Sequence, residues 1–369
     1  MALEGSRSVL AHSGLWSLML YGSLFCTLGC KGPSTDSAST QTSTDKNDTE
    51  ANASAQLEML PTGIKAIDFL APLPVVGTAY LCRRAGAGYS VVLFELLKHF
   101  TTEQKLKAVV LYDRIKENPE STEFFKDFAD VFGENSQNPK LVPFGFVGRA
   151  ELRKIAEDAG VNQADFVVVV SDVEPTIRRV RQIVTGAQTG PHAEGKRNLF
   201  LVASSDYAPE DADAVIEVSR AICVVGVYPC VDPRRSFSKL LSGPKFSAQR
   251  ELREKIVRRV GAYLSVYDFE DERALESDPK YRRAVRELRF FSQPFFVAEK
   301  YVKEPGVTVA LADTINGFEQ LENGKFDNES PTLVFMIGKI SDAELKKKRL
   351  EEEFRARATT TSKSAAAEN

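Results

Sequence analysis

Between Thr62 and Pro233 the chain alternates short apolar runs with longer stretches in which apolar residues recur every three or four positions. The runs are TAYLC (Thr78–Cys82), KAVVLYD (Lys107–Asp113), DFVVVVSD (Asp165–Asp172), NLFLVASSD (Asn198–Asp206) and ICVVGVYP (Ile222–Pro229). They are rich in Val, Leu and Ile without polar alternation, the pattern of strands covered on both faces. Helices between such strands predict an α/β domain on a largely parallel sheet. Asp113, Asp172 and Asp206 fall at the ends of three runs, and the carboxyl ends of strands in such sheets are where ligands sit. From Ser247 onward the pattern turns helical, with Arg and Glu spaced along amphipathic stretches such as Lys280–Phe291.

The two ends read differently. An apolar run, LWSLMLYGSLFCTLGC, closes at Cys30 behind a single basic residue, Arg7. Its length suits a targeting segment better than a membrane span. Three readings stand: an organellar presequence for a mitochondrion or related organelle, a secretory signal, and a lipid anchor at Cys30, which Thr27 fits poorly. Gly32–Gln56 is Ser/Thr-rich with almost no large apolar residue, so it is expected to be disordered.

Composition narrows the chemistry. A formal net charge of −3 gives no basic surplus for nucleic acid. Arg178, Arg179 and Arg181, and again Arg282, Arg283, Arg286 and Arg289, sit at helical spacing and read as solvated helix faces. The five cysteines are odd in number and contain no C-x-x-C pair, which indicates neither a disulfide framework nor a zinc site. Cys82, Cys223 and Cys230 lie in apolar segments and read as buried thiols. His12, His99 and His192 are too scattered for a metal site, and His99 reads as the outer turn of a helix.

The stretch LCRRAGAGYS (Leu81–Ser90) is a phosphate-binding loop with its central charge missing. Against G-x-x-x-x-G-K-[ST], the chain places Arg83, Gly88, Tyr89 and Ser90. Gly86 and Gly88 can turn the backbone toward a phosphate, and the Ser90 hydroxyl suits a magnesium ion. Tyr89 occupies the place of the lysine and is uncharged at neutral pH. Arg83 and Arg84 are candidate phosphate contacts, though they stand where the loop carries glycines.

Four further strings accompany this loop in order: TGIKAIDFLAPLPVVG (Thr62–Gly77), SRAICVVGVYPCVDP (Ser219–Pro233), RFFSQPFFVAEKY (Arg289–Tyr301) and DTINGFEQLENGKFD (Asp313–Asp327). The series resembles the beta subunit of rotary, proton-driven ATP synthases, whose usual strings include TGIKVVDLLAP, GGAGVGKT, SRAIAELGIYPAVDP and RFLSQPFQVAEVF. The resemblance implies a P-loop NTPase core with a largely parallel sheet, followed by a C-terminal helical domain. It finds no counterpart here of the family's N-terminal β-barrel. It also implies ATP or ADP with Mg2+, alpha-type subunits as partners, and attachment to a membrane only through the complex. The segments then become a leader (1–31), a linker (32–59), a nucleotide-binding-type α/β domain (60–235), a helical domain (236–345) and a charged helical or disordered tail (346–369).

Position by position, the catalytic set is eroded. YDRIKEN puts Asp113 where the family's GERTREG carries the glutamate that orients the attacking water, with Arg114 after it. VVVVSDV puts Ser171 where LLFIDN ends in a magnesium-associated carboxylate, and Asp172 follows one place later, on the opposite face of an extended chain. The threonine-rich segment and the MNEPPGAR loop give way to a polar connection, Gly186–Asn198. Tyr228 matches the base-stacking tyrosine, and Phe290 and Phe295 match the aromatic residues on the other side of the base. The same aromatic residues also suit packing between domains. Asp268–Asp278 aligns loosely with the acidic rotor-contact string and is interrupted by Arg273.

Phosphoryl transfer relies on positioning and charge. A lost charge-assisted contact costs about 1.5–3 kcal/mol, and a lost transition-state donor about a hundred- to a thousandfold in rate. The sequence therefore predicts a non-catalytic beta-like subunit with a structural, assembly or regulatory role, in which ATP or ADP is bound weakly or not at all and Mg2+ is poorly matched. A divergent active subunit and a secreted or lipid-anchored protein reusing the fold are the alternatives.

Overall fold

A computed structural model describes residues 58–83, 86–113, 119–188, 198–204, 210–267, 278–302 and 304–367. The chain divides into two compact units, each assembled from separate stretches. One takes Ala71–Arg220 and Arg235–Ser247 with the residues up to Leu60; the other takes Pro61–Leu70, Ala221–Arg234 and Ala248–Asn369. The leader, nearly all of the linker, Arg84, Arg114, Asp206 and most of the acidic stretch Asp268–Asp278 lie outside the described residues.

The first unit carries nine strands: β1 (Met59–Leu60), β2 (Leu73–Pro74), β3 (Val76–Arg83), β4 (Ala108–Asp113), β5 (Lys140–Phe144), β6 (Phe166–Val170), β7 (Asn198–Ser204), β8 (Ala214–Val218) and β9 (Phe237–Ser238). β1 and β2 form an antiparallel pair, and the other seven form one sheet in the order β5-β4-β6-β7-β3-β8-β9. Every neighbouring pair in that sheet is parallel except β8 with β9. The α/β class, the P-loop NTPase core and the parallel sheet stand as expected. The reason is burial: all five residues of β6 are inaccessible to solvent, and each fully buried Val contributes about 1.5–3 kcal/mol relative to exposure. Helix Tyr89–Lys98 buries Leu93, Phe94 and Leu97. Phe94 packs on Phe124, and Phe124 stacks on Tyr112 of β4 at 4.6 Å.

Two expectations need correction. Ile222–Pro229 is not a strand; Arg220–Val224 is a short helix, and Gly226 turns the chain at φ 75°, a conformation that suits glycine. The strand beside β3 is β8, whose AVIEV run holds a buried glutamate, Glu217. Cys223 and Cys230 are not thiols either. They form a disulfide with a Cα–Cα separation of 5.0 Å, while Cys82 is buried and outside that bond.

The second unit is helical, as the sequence pattern predicts from Ser247 onward. Its main helices are Lys65–Leu70, Ser247–Tyr267, Pro279–Phe290, Leu311–Glu322 and Asp342–Ala367. Phe318 anchors its core, with ring centroids 4.6 Å from Phe69, 4.9 Å from Phe290 and 4.7 Å from Phe291. Two buried charged groups inside this core are matched by hydrogen bonds. Asp68 accepts from the Thr62 N–H at 2.9 Å, the Thr62 hydroxyl at 2.8 Å and the Gly63 N–H at 3.0 Å. Lys65 Nζ donates to the Ile337 carbonyl at 2.8 Å and lies 4.2 Å from the Phe290 ring centre. The reading of Arg286 as part of a solvated face fails. Its side chain is 1% exposed and pairs with Asp327 at 3.2 Å.

Candidate functional site

In the first unit, parallel pairing brings the carboxyl ends of β3, β4, β6 and β7 to one edge of the sheet. The glycine-rich loop leaves β3 there. Gly86 and Gly88 adopt φ values of 74° and 68°, left-handed conformations that side chains with a Cβ rarely take. Gly88 is the N-cap of helix Tyr89–Lys98. The first turn of a helix presents N–H groups without intrahelical acceptors and a partial positive charge. Tyr89 and Ser90 are half-buried in that turn. Arg83 ends β3, opposite Val218 of β8.

Asp113 ends β4, and Ser171 follows the last residue of β6, its neighbour in the sheet. The Ser171 hydroxyl donates to Asp113 Oδ2 at 2.7 Å. It also accepts from the Val173 N–H at 3.1 Å, which fixes the hydroxyl between the two strand ends. Partial burial pushes the Asp113 carboxyl above its usual range. The Ser171 hydrogen bond pulls it back, and the neighbouring Asp172 charge pushes it up again. Asp172 itself is exposed. This contact joins the two residues that the sequence resemblance sets at the water-orienting and metal-associated positions, a pairing the sequence pattern did not anticipate. Among the described residues, no three His, Cys, Asp or Glu side chains converge where they could hold a metal ion.

The candidate base-stacking residues lie in the second unit. Tyr228 and Phe295 meet edge to face with centroids 5.2 Å apart. The Tyr228 backbone is tied at both ends, donating to Ser292 Oγ at 3.2 Å and accepting from the Gln293 N–H at 2.9 Å. Phe290 is fully buried, beneath Lys65 and against Phe318. Gly317 makes room for it, since a Cβ there would come within 2.3 Å of the Phe290 ring. The structure thus brings Tyr228 and Phe295 together and gives Phe290 a place in the helical core.

No protein-family model matches the chain. It is similar to "ATP synthase subunit beta" of Coprothermobacter proteolyticus, 28% identical over 337 residues that cover 77% of this chain and 73% of that protein. That similarity supports a distant, beta-like relationship to the ATP synthase beta subunit. The ordered strings, the parallel sheet and the helical C-terminal part are consistent with that relationship. Ser171 was legible as a replacement, whereas its bond to Asp113 needed the register of β4 on β6.

Proposed function

We propose that the protein is a non-catalytic beta-like subunit of an ATP-synthase-type complex, with a structural, assembly or regulatory role. The observation that carries this reading is the bond from Ser171 to Asp113. A carboxylate meant to orient an attacking water must face the substrate, and Asp113 instead receives the hydroxyl that replaces a metal-associated carboxylate. Tyr89 adds no charge where the transition state needs one. This set of residues does not fit a magnesium–phosphate group, so no hydrolytic step is assigned to it. Tyr228 and Phe295 give adenine a weak aromatic platform. Alpha-type subunits are the partners this reading calls for, in a membrane-associated complex of a mitochondrion or related organelle.

The left-handed geometry of Gly86 and Gly88 favours a second reading, an active though divergent subunit that still cradles phosphate. Full-length protein, assayed alone and in its native complex, separates the two. The proposal expects no ATP hydrolysis above background, and similar weak affinities for adenosine and ATP with little effect of magnesium. Turnover near about one per second, within the usual enzyme range, and lost in Ser90→Ala would overturn it. Recovery of a tagged copy as a free monomer would overturn the assembly role.

A further inference from the structure

Helix Arg220–Val224 and the turn that follows it carry one cysteine each, Cys223 and Cys230, both at places where the beta-subunit string SRAIAELGIYPAVDP has alanine. Two separate replacements meet in one bond. Tyr228 lies inside the loop that the bond closes, whose two cysteines are 7 positions apart in the sequence. We propose that Cys223–Cys230 is a reversible thiol–disulfide site whose oxidation state sets how firmly the Tyr228 turn is held, with a dithiol as its reductant.

The two sulfurs are unequally placed. Cys230 is 1% exposed, whereas Cys223 is half-buried between the exposed residues Ala221 and Val224. An incoming thiolate therefore attacks the Cys223 sulfur, and the Cys230 sulfur leaves as thiolate. The second thiolate of the dithiol then attacks its own sulfur in the mixed disulfide and releases Cys223. Two electrons pass from the dithiol to the pair. The two protons of the dithiol end on Cys223 and Cys230, and the dithiol ends as a disulfide.

The turn has supports that outlast the bridge. The Gly226 N–H donates to the Cys223 carbonyl at 3.0 Å, and the Val227 N–H to the Ile222 carbonyl at 3.4 Å. Tyr228 keeps its ties to Ser292 and Gln293. Asp232 holds Arg234 through both carboxylate oxygens, at 3.1 and 2.9 Å. Reduction thus frees a tether without dissolving the turn, which is the behaviour of a switch. A bridge that alone defined its loop would take the fold with it. The proposal does not depend on nucleotide binding.

Full-length protein purified in air supplies the test. Free thiols are blocked with N-ethylmaleimide before and after dithiothreitol, with peptide mapping and with buried Cys82 as the internal control. Cys223 and Cys230 should label only after reduction, without denaturant. Amide exchange of residues 224–228 should then quicken by about tenfold or more, as for a local opening equilibrium. A Cys223→Ser, Cys230→Ser double variant should show the fast rate with or without dithiothreitol. Full labelling before reduction would overturn the site. Reduction only in denaturant would make the bond a permanent staple and overturn its reversibility. An unchanged exchange rate would overturn its hold on the Tyr228 turn. Should the double variant not fold, the oxidised and reduced wild-type samples decide alone.

Discussion

Asp68→Ala should lower the stability of the helical unit by about 3–5 kcal/mol at pH 7. Three donors from Thr62 and Gly63 converge on that carboxyl, which is itself 1% exposed. Each buried donor left unmatched costs about 1–3 kcal/mol. Asp68→Asn keeps one acceptor oxygen and should recover roughly half of the loss. Guanidinium unfolding with an unchanged denaturant slope is the measurement. Burial also pushes the Asp68 carboxyl up from 3.8 to about 7, against the pull of its donors. An acid whose pKa rises on folding binds more protons folded than unfolded, so stability falls as pH rises across that window. Wild type measured against Asp68→Asn should therefore lose stability between pH 4 and 7. A difference that is flat or rises with pH would show that the donors, not burial, set the carboxyl.

The second large effect is expected at Arg286. Its guanidinium spans Asp327 Oδ1 at 3.2 Å, the Asp327 carbonyl at 2.9 Å and the Glu329 carbonyl at 3.0 Å. Arg286→Ala strips all three acceptors at once; the Asp327 side chain is 37% exposed and can be rehydrated, so the loss should be about 1.5–3 kcal/mol, the worth of hydrogen bonds to a charged group. At 369 residues each kcal/mol shifts the melting midpoint by about 1–2 °C. Arg286→Lys should rescue little, because one ammonium cannot reproduce a planar fork. A lysine variant that melted with wild type would refute the account and reduce Arg286 to a simple charge.

The parallel core was legible because its strands are apolar on both faces, as in FVVVV of β6. β8 escaped notice because Glu217 interrupts its apolar run, and β5 because Pro143 sits inside it. A proline is tolerated at that position because β5 is an edge strand. Ile222–Val225 misled for the opposite reason: a run that short fits either strand or buried helix, and the left-handed turn at Gly226 decides. The disulfide was hidden by a spacing without a motif, since only the turn brings the sulfurs together. Arg286 was misread because helical spacing of arginines says nothing about which one faces Asp327. In the candidate site, the glycines and replaced residues were visible as types. The Ser171–Asp113 contact depends on strand pairing, which one-dimensional patterns do not carry.

The helical unit takes its first piece, Pro61–Leu70, from ahead of the sheet and its second, Ala221–Arg234, from between β8 and β9. During synthesis the segment bearing Lys65 and Asp68 thus leaves the ribosome before nearly all of the sheet. Its partner Gln293 and the Ile337 carbonyl follow more than two hundred residues later. That segment carries apolar residues that it cannot bury until the chain is almost finished, the circumstance in which long-range topology slows folding and invites association. Cutting the gene at a single point cannot yield either unit whole.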